Sequence, residues 1–196
     1  MKLLYVAALM LMISAVAMAE PDSQQVGPYT VSFDLDADYQ IPQIAEPMES
    51  DVGTVYSMAL FEDNSTGASI AIAEYAEPTD ATLNMHKTLN TMSMMLQGLN
   101  STNVEDMAID GKDGFLITAE PFEAAADGPS NVYKAVYWLD SIDCECGPVS
   151  VGTTSVTITS TYPLDVTEGL LSSLSVVKGE ASSMATATDG QDFPPN

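Results

Sequence analysis

Few side chains in this sequence are of the kinds that attack, ligate or shuttle protons, so their spacing decides what chemistry is open to them. The only two cysteines stand together in Asp143-Cys144-Glu145-Cys146-Gly147-Pro148. A Cys-x-Cys pair permits a mutual disulfide, but bridge geometry is demanding at that spacing. Closing so short a loop also adds little by the chain-entropy argument. A bridge between chains is the second reading of Cys144 and Cys146. In the third they stay free or supply half a metal site, although no further cysteine exists and His86 is the only histidine. Asp34-x-Asp36-x-Asp38 puts three hard carboxylates on one strand face or in the first half of a calcium loop. An EF-hand is excluded, because its sixth position would be Tyr39 rather than glycine and its twelfth Ala45 rather than glutamate. A looser Ca2+ site at Asp34, Asp36 and Asp38 and a solvated acidic face both remain.

His86 lacks the company that catalysis requires. There is no Gly-x-Ser-x-Gly and no His-Glu-x-x-His, so no catalytic residue and no cofactor beyond Ca2+ is expected. A redox role for Cys144-Glu145-Cys146 is the enzymatic alternative. Met85, Met92, Met94 and Met95 are soft thioether donors that suit Cu(I), but methionines at helical spacing read first as adaptable core filler. Asn64-Ser65-Thr66 and Asn100-Ser101-Thr102 match the N-glycosylation sequon and fall in expected loops, which marks Asn64 and Asn100 as candidate glycan sites. Tyr56, Tyr75, Tyr133, Tyr137 and Trp138 are candidates to line a sugar or peptide site.

The chain that carries these residues reads as exported and acidic. Lys2, an apolar run from Leu3 to Ala17 and Ala17-Met18-Ala19 before Glu20 make residues 1–19 an expected signal segment. The formal net charge is −23, with 28 acidic residues, five lysines and no arginine. Phosphate contacts rest on Lys and Arg, so neither nucleic acid nor an anionic membrane surface is an expected partner. Such acidity suits an envelope or a salt-rich setting.

Residues 20–26 read as a leader, 27–177 as one domain and 178–196 as a disordered tail. Tyr29, Val31, Phe33 and Leu35 alternate with polar residues as a half-buried strand. Ile41 to Asp51 reads as an extended connection, and Thr54–Phe61 with Ala68–Tyr75 as a hairpin. Pro78-Thr79-Asp80 opens one long helix, with Thr79 or Asp80 as its cap and Met85, Leu89, Met92, Leu96 and Leu99 as the stripe expected to face the sheet. Val104–Ile109 and Phe115–Pro121 form a second hairpin around Asp110-Gly111. Asn131–Asp140 and Val149–Tyr162 are two further strands, and Asp165 or Thr167 caps a short helix. This order gives an α+β fold with a mainly antiparallel sheet and two helices packed on it. Gly147 to Leu164 carries no charge, and Val156, Ile158 and Tyr162 alternate with hydroxyl residues. Such a run pairs within its own sheet or with another chain.

The segment Ser155–Val177, SVTITSTYPLDVTEGLLSSLSVV, together with the long helix after a hairpin and Ile109-Asp110-Gly111-Lys112, resembles PsbP-like domains. That resemblance implies a PsbP-like sandwich and a binding module or accessory subunit. The acidic, lysine-poor, Ser/Thr-rich composition with paired cysteines also resembles surface-layer or tubular-sheath proteins of methanogenic archaea. It implies an extracellular structural protein of the envelope, a homo-oligomer or polymer assembled through strand edges and disulfides. The expectation is therefore a self-assembling envelope protein, with a monomeric binding module as the alternative.

Overall fold

The computed structural model describes residues 21–78, 82–123, 128–140 and 152–179. The expected signal segment, Cys144, Cys146 and residues 180–196 lie outside the described residues. The fold is α+β, with mostly antiparallel sheet and two helices. In chain order the strands and helices are β1 (Asp22–Val26), β2 (Tyr29–Phe33), β3 (Gln43–Ile44), β4 (Met48–Ser50), β5 (Gly53–Phe61), β6 (Gly67–Tyr75), α1 (Leu83–Leu96), β7 (Leu99–Ile109), β8 (Lys112–Pro121), β9 (Val132–Trp138), β10 (Thr154–Ser160), α2 (Leu164–Ser173) and β11 (Ser175–Lys178). The large sheet has the order β3-β5-β6-β10-β9-β8-β7, with β4 also on β5. A small sheet, β1-β2-β11, covers one of its faces together with α2.

The main core lies between these layers. Val156 and Ile158 of β10 and Ile70 and Ile72 of β6 meet Tyr29, Val31 and Phe33 of β2 and Leu170 and Leu171 of α2. The opposite face of the large sheet holds a second cluster, in which Phe115, Ile117, Val136 and Trp138 pack under Met94 of α1. β9 is thus buried on both faces, which explains why its residues are apolar at both parities. The β7–β8 turn is the two residues Asp110-Gly111, both at positive φ (52° and 69°), the backbone that a tight hairpin matching strand twist requires. The Asp110 carboxylate then takes the Val176 amide at 3.2 Å and Lys112 Nζ at 3.0 Å, so the turn also ties the large sheet to β11.

Several expectations are corrected. Residues 22–26 are not a leader but pair along their full length with β2. The 41–51 connection contains two short strands on β5. Lys178 is no tail residue; it ends β11 and reaches Glu74 at 2.5 Å. The cap of α1 is Thr82, whose hydroxyl accepts the Met85 amide, so the helix starts later than Thr79-Asp80. At α2 the cap position is Pro163, with Asp165 in the first turn and Thr167 buried.

Apart from Leu99, which begins β7 and packs against the second cluster, the stripe expected to face the sheet points the other way. Met85, Leu89, Met92 and Leu96 are exposed, and the buried residue of α1 is Met94. The inner side instead seats the His86 ring 4.4 Å from Trp138 and lets Lys87 pair with Asp106 at 2.5 Å. Only one side of the sheet, β7, β8 and part of β9, lies beneath the helix, so a narrow inner face suffices.

Asp140 closes the gap between β9 and β10. Its carboxylate accepts the Thr153 amide (2.7 Å), the Thr153 hydroxyl (2.9 Å) and the Thr154 amide (2.8 Å). Gly152 allows this, since a Cβ there would meet Asp140 at 2.2 Å. Burial alone would raise the Asp140 carboxyl, but these donors outweigh it and hold the group below its ordinary value. A depressed carboxyl contributes stability above its unfolded value and loses it as pH falls through the folded one. Asp140→Ala is therefore expected to cost about 2 kcal/mol at neutral pH. In thermal melts the gap from the parent narrows once pH drops below about 4.

Candidate functional site

Where the β5–β6 turn, the segment entering β9 and the β10–α2 junction meet, the surface forms a cleft of about 460 Å³. Ser65 and Thr66 line one wall, Ser130, Asn131 and Tyr133 another, and Thr161 to Leu164 the third. Local sequence builds each wall. The Asp63 carboxylate accepts the amides of Ser65 and Thr66, both at 2.7 Å, and so curls the turn around itself. Those donors hold the exposed Asp63 carboxyl below its ordinary value. The Thr161 hydroxyl donates to the Ser65 carbonyl and accepts from the Gly67 amide, each at 2.9 Å, which staples the turn to the end of β10. Pro163 then stops the sheet and opens α2.

The cleft is hydroxyl-rich, and its rim is acidic. Burial, then Glu168 and Asp165, raise the Tyr133 hydroxyl; burial, then Glu62 and Asp63, raise that of Tyr162. Both phenols therefore stay protonated at neutral pH. Ser, Thr and Asn side chains each donate and accept, so the walls match a neutral partner that also does both. The carboxylates around them disfavour anions. A shallower hollow of about 240 Å³ continues past Ser65 and Thr66 to Phe61, Asn64 and Thr159.

The sequence candidates scatter. Tyr133 lines the cleft, but Tyr137 is buried in the main core and Trp138 faces α1. Tyr56 packs edge-on against Tyr29, and the Tyr75 hydroxyl lies 3.2 Å from that of Ser155. His86 sits on the opposite side of the large sheet, and burial lowers its pKa, which favours neutral imidazole. Asp34, Asp36 and Asp38 follow the end of β2 as exposed residues rather than sharing a strand face. Among the described residues no group of three or more His, Cys, Asp or Glu is placed to hold a metal ion. Met85, Met92 and Met95 are exposed, so only Met94 acts as core filler. Asn64 is exposed in the β5–β6 turn, whereas Asn100 is exposed on β7 rather than in a loop.

The largest correction concerns Val156, Ile158 and Tyr162. β10 pairs with β6 on one side and β9 on the other, and all three side chains are buried. The strand is satisfied inside its own sheet, so neither of its edges is open to a second chain.

The chain matches no protein-family model, no curated protein and no solved structure.

Ser130, Asn131 and Thr161 were not legible as site residues. The available signal was Thr161-Tyr162-Pro163, a hydroxyl just past the end of a strand that a proline must end. Replacing Thr161 by valine keeps the shape and removes both hydrogen bonds of the staple. The expected loss is about 1–3 kcal/mol, read as a lower denaturation midpoint with unchanged slope.

Proposed function

We propose that this chain is an exported binding module of the cell envelope whose ligand is an uncharged, hydroxyl-bearing glycan. The observation that carries the reading is the cleft itself, lined by Ser65, Thr66, Ser130, Asn131 and Thr161 beside Tyr133, with Asp165 and Glu168 near its tyrosine. Export is supported by the character of residues 1–19, and the acidity suits an outer surface. The resemblance to PsbP-like domains points the same way, toward a module that binds rather than catalyses.

The experiment is calorimetric titration of the secreted chain with neutral and with anionic envelope polysaccharide. Neutral glycan binds and anionic glycan does not. Asn131→Ala weakens binding about fivefold to tenfold, the equivalent of about one lost hydrogen bond, without lowering the melting temperature. Equal binding of the anionic polymer, or no effect of Asn131→Ala, sinks the reading.

A second reading, a sheath or surface-layer protein that polymerises, draws on one observation. β7 is an edge strand of 11 residues. Negative-stain microscopy of native protein with and without reductant separates the two. Ordered polymers that disperse on reduction support the structural role and a bridging Cys144 or Cys146, whereas particles of constant small size support the module.

A further inference from the structure

One face of the molecule is set apart by charge. The chain carries 28 acidic residues, yet the segments β5, β6, β10 and α1 contain a single carboxylate, Glu74. Glu74 points to the core side, where it takes Tyr29 and Lys178. The other side of these strands is uncharged, with small residues in register on its central rungs, Ser57, Ala71 and Thr157 on one and Ala59, Ser69 and Thr159 on the next, and Val55, Phe61 and Tyr75 toward its ends. Among the described residues these side chains stay partly or fully exposed. Lys134, paired with Thr159 on β9, and the Lys87–Asp106 ion pair of α1 and β7 are charges on the same side of the sheet.

The same face carries the inverted helix. α1 lies over β7, β8 and part of β9, leaving β5, β6 and β10 beside it. Its outward ridge is Met85 (55 % exposed), Leu89 (53 %), Met92 (55 %) and Leu96 (88 %). The spacing i, i+4, i+7, i+11 makes one straight apolar seam on a helix about 21 Å long. The open trough is three strands wide, about 14 Å, and a helix with its side chains is about 10 Å across. Long apolar side chains thus stand next to a floor of small ones, at matching widths and without a carboxylate on either.

We propose that this face pairs with the same face of a second copy. Each α1 lays its ridge in the partner's trough, so the two helices run side by side between two sheets. Such an isologous contact is self-complementary by construction, since ridge meets trough twice. Charge selects the occupant. Two chains of net charge −23 repel everywhere that carboxylates face each other, and this face is where they do not. A basic partner finds no acid on ridge or trough, and an anionic bilayer is repelled by the rest of the molecule. The inference stands whether or not the cleft at the sheet's end takes a glycan.

The test is sedimentation velocity of the secreted chain over a wide concentration range at physiological salt. The parent sediments as a dimer that dissociates on dilution. Leu89→Glu with Met92→Glu, both on exposed positions, gives monomer at every concentration with unchanged circular dichroism. Ser69→Glu, on the trough of an otherwise native chain, gives the same loss. A parent that is monomeric throughout overturns the proposal, as does a dimer indifferent to these changes. Dissociation by the helix variants but not by Ser69→Glu also overturns it, because it means that the ridge meets something other than the trough.

Discussion

The double pairing of β10 is the constraint on which the rest of the structure depends. Its backbone is hydrogen-bonded to β6 and to β9, and its core-facing side chains Val156 and Ile158 meet the small sheet and α2. An interior strand has no water to fall back on for its amides, so each must find a partner in the sheet. The apolar character of Val156 and Ile158 follows from this position. A carboxylate in place of Val156 or Ile158 would sit in the core, where desolvation is expensive. Asp140 before the strand and Thr161 after it fix where the pairing begins and ends, and the cleft exists because the second of these anchors also holds the β5–β6 turn.

The large sheet then has two faces with different demands. One is closed by β1, β2, β11 and α2 into the main core. The other is covered by α1 over β7, β8 and part of β9, and β5, β6 and β10 beside it carry uncharged residues that are small on the central rungs. A strongly acidic chain spreads its charge where water can solvate it, so a neutral face of this extent has a cause. The apolar ridge of α1 beside it supplies one, since both features belong to a single contact surface.

Much of the fold was readable because local rules and tertiary demands agree. Alternation placed β2, the turn-rich Glu62–Gly67 segment placed the β5–β6 hairpin, Asp110-Gly111 placed the β7–β8 turn, and the polar Asn131–Asp140 boundaries bracketed β9 within two residues. Other features needed three dimensions. Residues 22–26 have little apolar content and become a strand only because β2 offers an edge. The α1 stripe has the right period but the wrong side. Periodicity reports that a face is apolar, not what it faces, and Met94 with the His86–Trp138 contact was enough to seat the helix the other way round. The uncharged run was equally ambiguous between a central strand and an assembly edge until its two neighbours were known. The cleft was invisible because Ser65, Asn131 and Thr161 are ordinary loop and strand-end residues that only the topology brings together.

Hydrogen exchange on the dilute chain tests the central claim most directly, namely that β10 is an interior strand and not an assembly edge. The account predicts that the amides of Val156 to Thr159 are among the slowest to exchange, and equally slow before and after any assembly. Exchange as fast as at the open edge of β7, with protection gained only when chains associate, would contradict it.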